Sequence, residues 1–153
     1  MPTLKPQSGL SAIKPYVPGK PIEEVQREYG LTDVIKLASN ENPLGPSPRV
    51  LAAIQAALPQ LNYYPDAQAY RLCRAIAAHH GVQPDGVRVG NGADGLIREL
   101  CTSYLDDGDE VITSASSFPV YDISTAVMRG RMVKTPLVAL SFDLRAIAAA
   151  ITA

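Results

Sequence analysis

From Val87 onward, short apolar runs alternate with stretches of helical period, and this alternation most restricts how the chain can fold. Val87 to Val89 reads as a strand, and Ala93 to Leu105 as a helix with Leu96, Ile97, Leu100, Cys101 and Tyr104 on one face. The polar turn DDGDE then leads into a strand at Val111 to Ser114. A helix from about Val120 to Met128 precedes a strand near Met132 to Thr135. Ser141 or Asp143 caps a last helix carrying Leu144, Ile147, Ala148 and Ile151. Strands alternating with helices imply an α/β fold, with a parallel sheet and right-handed crossovers.

The first half is less regular. Its first 20 residues form an arm punctuated by Pro and Gly. Pro21 to Tyr29 reads as a short helix, acidic in its first turn and closed by Gly30. Val34 to Leu37 is a short strand candidate, and SNENPLGPSP (residues 39–48) is turn chemistry throughout. Ser47 supplies an N-cap and Pro48 a first helical position ahead of the stripe Val50, Leu51, Ile54 and Leu58. After NYYPD, a helix is expected from Ala67 to His80, with Ala69, Leu72, Cys73, Ile76, Ala77 and His80 facing inward. Cys73 and Cys101 read as buried free thiols, and the adjacent His79 and His80 cannot both face one metal, so no metal site is expected.

The composition narrows the function classes. Of 153 residues, 46% are hydrophobic and 19% charged, which suits a globular chain. A net charge of −1 gives no basic field for nucleic acid or an anionic membrane surface. No apolar run is long enough to span a bilayer, and the proline-rich start does not resemble a signal peptide, so a cytoplasmic protein is expected.

The run VRVGNGADGLIREL places Gly90, Gly92 and Gly95 in a G-x-G-x-x-G pattern between a strand and a helix. A dinucleotide site also needs a carboxylate at the end of the second strand, and that strand here ends in TSASSFP. The dinucleotide reading therefore loses its key polar contact. What survives is a turn whose backbone N–H groups, around Ala93, Asp94 and Gly95, suit a phosphate. Asp94 alternatively reads as a plain N-cap. Phe118 and Tyr121 follow the second strand and belong to the same sheet edge, where ligands of open α/β sheets gather. For Phe118 a core role is the competing reading. An aromatic beside a phosphate cradle suits a flat, phosphorylated cofactor.

Several segments together resemble the histidinol-phosphate aminotransferases, pyridoxal-phosphate enzymes of the aspartate-aminotransferase fold (fold type I). They are YVPGKPIEEVQREYGL (16–31), KLASNENPLGPSPRVLAAI (36–54), YYPD (63–66), GNGADGLI (90–97) and SSFPVY (116–121). The resemblance implies a mostly parallel sheet with helices on both faces. Residues 1–33 would be an arm and short helix, and residues 34–153 the first part of the cofactor-binding large domain. It assigns Gly92, Ala93 and Asp94 to the cofactor phosphate and Phe118 to the pyridine ring. Tyr64 would reach the cofactor phosphate of a neighbouring subunit, which implies a homodimer. Tyr16, Asn42 and Tyr121 would border the substrate. Gly95 departs from the family, which usually has Glu there.

Amino transfer requires a lysine that forms a Schiff base, a carboxylate at the pyridine nitrogen and an arginine for the substrate carboxylate. In the family these follow the region matched here. Lys5, Lys14, Lys20, Lys36 and Lys134 match no Schiff-base position, so no catalytic residue is assigned. The last residues, AIAAAITA, are helical in pattern and should lead into another strand, so the sequence is expected to be the N-terminal portion of a longer enzyme. The Val87 strand would then lack its neighbours, and the segment alone should be unstable and inactive. The implied reaction interconverts histidinol phosphate and imidazole acetol phosphate with glutamate and 2-oxoglutarate. The alternatives are a threonine-phosphate decarboxylase, an aromatic aminotransferase, or a non-catalytic product that binds a partner subunit.

Overall fold

The computed structural model describes residue 5 and residues 7–152. They divide into two compact units, one of residues 16–70 and one that joins the arm up to Pro15 with the chain from Arg71 onward.

In the first unit, α1 spans Ile22–Tyr29, with Glu23 and Glu24 where the helix dipole favours acids. Gly30 ends it in the left-handed region at φ 64°, returning its N–H to the Gln26 carbonyl. Helix α2 spans Pro48–Ala57 and starts where Pro48 predicts, but the Ser47 side chain makes no capping bond. The expected strand at Val34–Leu37 is absent: the segment has no ladder partner, and Ile35 and Leu37 are 87% and 93% exposed. An apolar run becomes a strand only where another strand takes up its backbone groups.

Helix α3 spans Tyr70–His80, three residues shorter at its start than the sequence predicts. Ala69 stands at φ 46°, outside the helical region, and the Asp66 carboxylate takes the N–H groups of Gln68 (3.0 Å) and Tyr70 (2.8 Å). Cys73 and Ala77 are buried as expected, whereas Leu72 and His80 are exposed. His79 and His80 meet edge to face, 4.8 Å between ring centres.

The second unit carries the β/α alternation. Residues 87–90 are extended but form no strand among the described residues; they lie on α4 (Gly92–Tyr104). Arg88 pairs with Glu99 at 3.3 Å, and a side chain on Gly90 would stand 3.0 Å from Leu96 Cδ2. Strand β1 (Glu110–Ser114), helix α5 (Pro119–Val127) and strand β2 (Arg131–Thr135) form one β-α-β unit. The strands pair in parallel from Glu110 opposite Arg131 to Ser114 opposite Thr135. Helix α5 packs on α4 and on both strands. The interior is small and partly polar: Cys101 and Val120 are buried beside Ser114, Ser124, Thr125 and Thr135.

The sequence does not foretell a short antiparallel hairpin, β3 (Leu137–Val138) with β4 (Ser141–Phe142). Its turn residues, Ala139 and Leu140, sit at φ 48° and 62° without the Asn or Gly that usually marks such a turn. Of the two caps predicted for the last helix, α6 (Leu144–Ala149), the structure selects Asp143, which accepts from the N–H groups of Arg145 and Ala146, both at 3.0 Å. Ser141 is in the hairpin instead.

A 3-10 turn over Ser8–Ala12 seats on the carboxyl end of α5, where Gln7 donates from Nε2 to the Val127 carbonyl (3.0 Å). Gly9 lies so close that a Cβ there would collide with the Ala126 carbonyl oxygen.

Gly130, immediately before β2, is under similar constraint. A Cβ there would stand 2.9 Å from the Asp109 carbonyl oxygen and 3.1 Å from Cγ2 of the buried Thr125. Because a strand backbone cannot give way as a side chain would, Gly130→Ala should destabilise the fold by about 1–3 kcal/mol. Thermal melts of the complete gene product would show it; an unchanged melting temperature would contradict this packing.

Candidate functional site

The amino end of α4 is the most distinctive local structure among the predicted site residues. Gly92 stands at φ 66°, in the left-handed region that glycine enters without steric cost. Its N–H turns back to the Gly90 carbonyl at 2.9 Å, and the Gly95 N–H makes the first helical bond to Asn91 at 3.3 Å. Asn91 occupies the N-cap position without a side-chain bond. The N–H groups of Ala93 and Asp94 therefore have no capping acceptor, and nothing lies within 4 Å of where a Gly92 Cβ would be. Uncapped helical N–H groups suit an anion.

Asp94 does not cap the helix. It lies three residues past Asn91, inside the first turn, and its Oδ2 pairs with Arg98 at 3.2 Å. Its Oδ1 is shielded from solvent and has no hydrogen-bond partner. The guanidinium offsets the carboxylate charge, so an incoming anion meets the helix dipole without an unbalanced negative neighbour.

Phe118 is the N-cap residue of α5, just beyond β1, and its ring is 46% exposed. Tyr121 follows one turn on, its N–H bonded to the Phe118 carbonyl at 3.2 Å. Its side chain lines an apolar depression of about 230 Å³ with Ile97, Leu100, Cys101, Tyr104 and Val111. Burial pushes the Cys101 thiol pKa up, which leaves it a poor nucleophile.

Tyr16, Asn42 and Tyr64 belong to the unit of residues 16–70. Tyr16 is 54% exposed and Tyr64 fully so. The Asn42 side-chain oxygen accepts the Leu44 N–H at 3.0 Å, closing a turn that ends at Gly45, φ 74°. Gly19 brings the Tyr16 segment to this loop: a Cβ on Gly19 would touch Ser39 Oγ at 3.4 Å and Ala38 Cβ at 3.5 Å. The sequence reading missed this approach, for which Gly19 was the only signal, and also missed Asp66, whose cap fixes the turn after Tyr64.

The two backbone N–H bonds from Tyr70 and Gln68 lower the Asp66 pKa. A depressed folded pKa means that the cap stabilises fully above the unfolded value near 3.9 and is lost as pH falls through the folded one. The start of α3 is therefore expected to fray only in strong acid, and Asp66→Asn, which keeps an acceptor, should remove that dependence. Amide exchange at Gln68 and Tyr70 followed against pH tests this; equal acid sensitivity in both forms would refute it.

Fold and site together define an α/β protein with open backbone donors at a helix amino terminus. Residues 32–153 match the family described as aminotransferase class I and II, and the chain belongs to it. It is 49% identical over 148 residues to the histidinol-phosphate aminotransferase of Moorella thermoacetica, covering 97% of this chain and 38% of that protein. With the corresponding protein of Anaeromyxobacter sp. the identity is 50%, over 90% of this chain and 37% of the relative. A crystal structure of histidinol-phosphate aminotransferase from Sinorhizobium meliloti, in complex with pyridoxal-5'-phosphate, superposes with a TM-score of 0.79 at 29% identity, over 94% of this chain and 38% of that one. The fold is therefore part of the fold type I aminotransferase architecture. The chain spans well under half the length of these relatives. No helix among the described residues is long and apolar enough to cross a membrane.

Proposed function

We propose that this chain carries the cofactor-phosphate cradle and part of the substrate wall of a pyridoxal-phosphate-dependent histidinol-phosphate aminotransferase, a cytoplasmic enzyme of histidine biosynthesis. The observation that carries this reading is the uncapped first turn of α4, with Gly92 in the left-handed region and open space before it. Identities near 50% to proteins of that name support the choice of substrate.

The residues fit the cofactor. The N–H groups of Ala93 and Asp94 would hold its phosphate, and the exposed Phe118 ring offers a face for its pyridine. When bound, pyridoxal phosphate supplies an electron-accepting ring that makes amino transfer possible. Arg98 holds Asp94 in place beside the phosphate, and Tyr16, Asn42 and Tyr121 are assigned to the substrate side. Tyr64, fully exposed in this chain, is assigned to the cofactor phosphate of a second subunit in a homodimer. Residues 1–33 then act as the arm and 34–153 as the first part of the large domain. No lysine in the chain is assigned a catalytic role, and that residue is sought in the rest of the gene product.

The test is transamination by the complete gene product. With pyridoxal phosphate, histidinol phosphate and 2-oxoglutarate it should form glutamate and imidazole acetol phosphate. Turnover restricted to threonine phosphate or to aromatic amino acids would overturn the substrate assignment.

A further inference from the structure

Lys36 and Glu41 flank a turn with two consecutive left-handed residues in the unit of residues 16–70, and the proposed function uses neither. Ser39 and Asn40 between them stand at φ 72° and 52°, left-handed positions that cost non-glycine residues about 1–2 kcal/mol each. Two such residues in a row reverse the chain and must be held by something outside their own backbone. The Lys36 ammonium meets Glu41 Oε1 at 2.7 Å, closing the reversal, and its side chain is only 19% exposed while that of Glu41 is 59% exposed. Asn42 comes next. Its oxygen accepts the Leu44 N–H, which orients the amide so that its two N–H donors are left for a ligand, in a direction the reversal sets. Gly19 rests on Ala38 and Ser39 inside the reversal, so the segment carrying Tyr16 leans on the same turn.

We propose that Lys36 and Glu41 are positioning residues whose ion pair fixes the loop presenting Asn42, and with it the Tyr16 segment, to an anionic substrate. This rests on the proposed aminotransferase function. Other pairs in the chain, such as Lys20 with Glu24 and Glu28, brace a helix and its approach and span no left-handed turn.

The test uses the complete gene product loaded with pyridoxal phosphate, as wild type, Lys36→Met, Glu41→Gln and the exchanged pair Lys36→Glu with Glu41→Lys. Kinetics with histidinol phosphate are read beside calorimetric binding of that substrate. Each single variant should raise KM and Kd about three- to fivefold, the range of a partly exposed ion pair. The kcat and the bound-cofactor absorbance should not change, and the exchanged pair should recover most of the loss. Single variants indistinguishable from wild type overturn the proposal. So does an equal fall in kcat and cofactor binding that the exchange fails to rescue, because that marks general destabilisation. Wild-type protein that binds pyridoxal phosphate but neither binds nor turns over histidinol phosphate overturns the functional reading, and this proposal with it.

Discussion

Gly92→Val is expected to weaken pyridoxal-phosphate binding by the complete gene product by roughly one to two orders of magnitude. Two effects act together. A β-branched residue at φ 66° is strained in the left-handed region, so the turn relaxes and the N–H groups of Ala93 and Asp94 lose their common direction. The new side chain also fills the space that is now open before the helix end. Gly95→Ala is the control. Gly95 has an ordinary helical backbone, and its added Cβ would meet only Asn91 Cβ at 3.3 Å, so its affinity should stay within about threefold of wild type. Absorbance titration of the cofactor-free protein separates the two. Should Gly92→Val bind as tightly as wild type, the phosphate does not sit on this turn.

The second large effect concerns residues 1–153 produced by themselves. Ile35, Leu37, Leu44 and Leu140 are each at least 87% exposed, and the stripe of α2 (Val50, Leu51, Ile54) is half exposed. Only four hydrophobic residues among those described are buried, too few to balance the entropy of ordering the chain. This segment should bind hydrophobic dyes, melt without a cooperative transition and self-associate, and should show no transamination. Exposed apolar surface on this scale drives association in water. A sharp, reversible melt from a monomer in sedimentation would show that the surface is tolerated. The complete gene product under the same conditions should melt cooperatively.

Helices α1, α4 and α5 and strands β1 and β2 were legible because each carries its own punctuation: Gly30 after α1, the glycine turn before α4, Pro119 opening α5, and the polar DDGDE before β1. The segments 34–37 and 87–89 form no strand for one reason, and for 87–89 the sequence already implies that its neighbours are missing. Apolar period is a local signal, but a strand exists through a partner, and neither segment has one among the described residues. The hairpin β3–β4 was invisible for the opposite reason, since Ala139 and Leu140 take a turn conformation that their own chemistry disfavours. At the site, the proposed cradle at Gly92–Asp94 and the place of Phe118 beyond β1 rest on position relative to strand and helix ends. Roles for Tyr16, Asn42 and Tyr64 came from resemblance, because their chemistry is common to many exposed polar residues. The Lys36–Glu41 pair could not be read at all. Its partners meet only because Ser39 and Asn40 turn left-handed.

The Gln7 bond to Val127 has a consequence for the order of folding. It joins residues 120 apart in sequence, so the segment bearing Gln7 must wait for α5, synthesised later, before it can dock. Contacts of such long sequence separation form late, after the loop-closure entropy of the intervening chain has been offset by other packing. The helix α5 that bears Phe118 thus receives the tether at its carboxyl end only once most of the unit is in place. A bulky extension fused near the start of the chain would slow that final step more than it would weaken the finished structure.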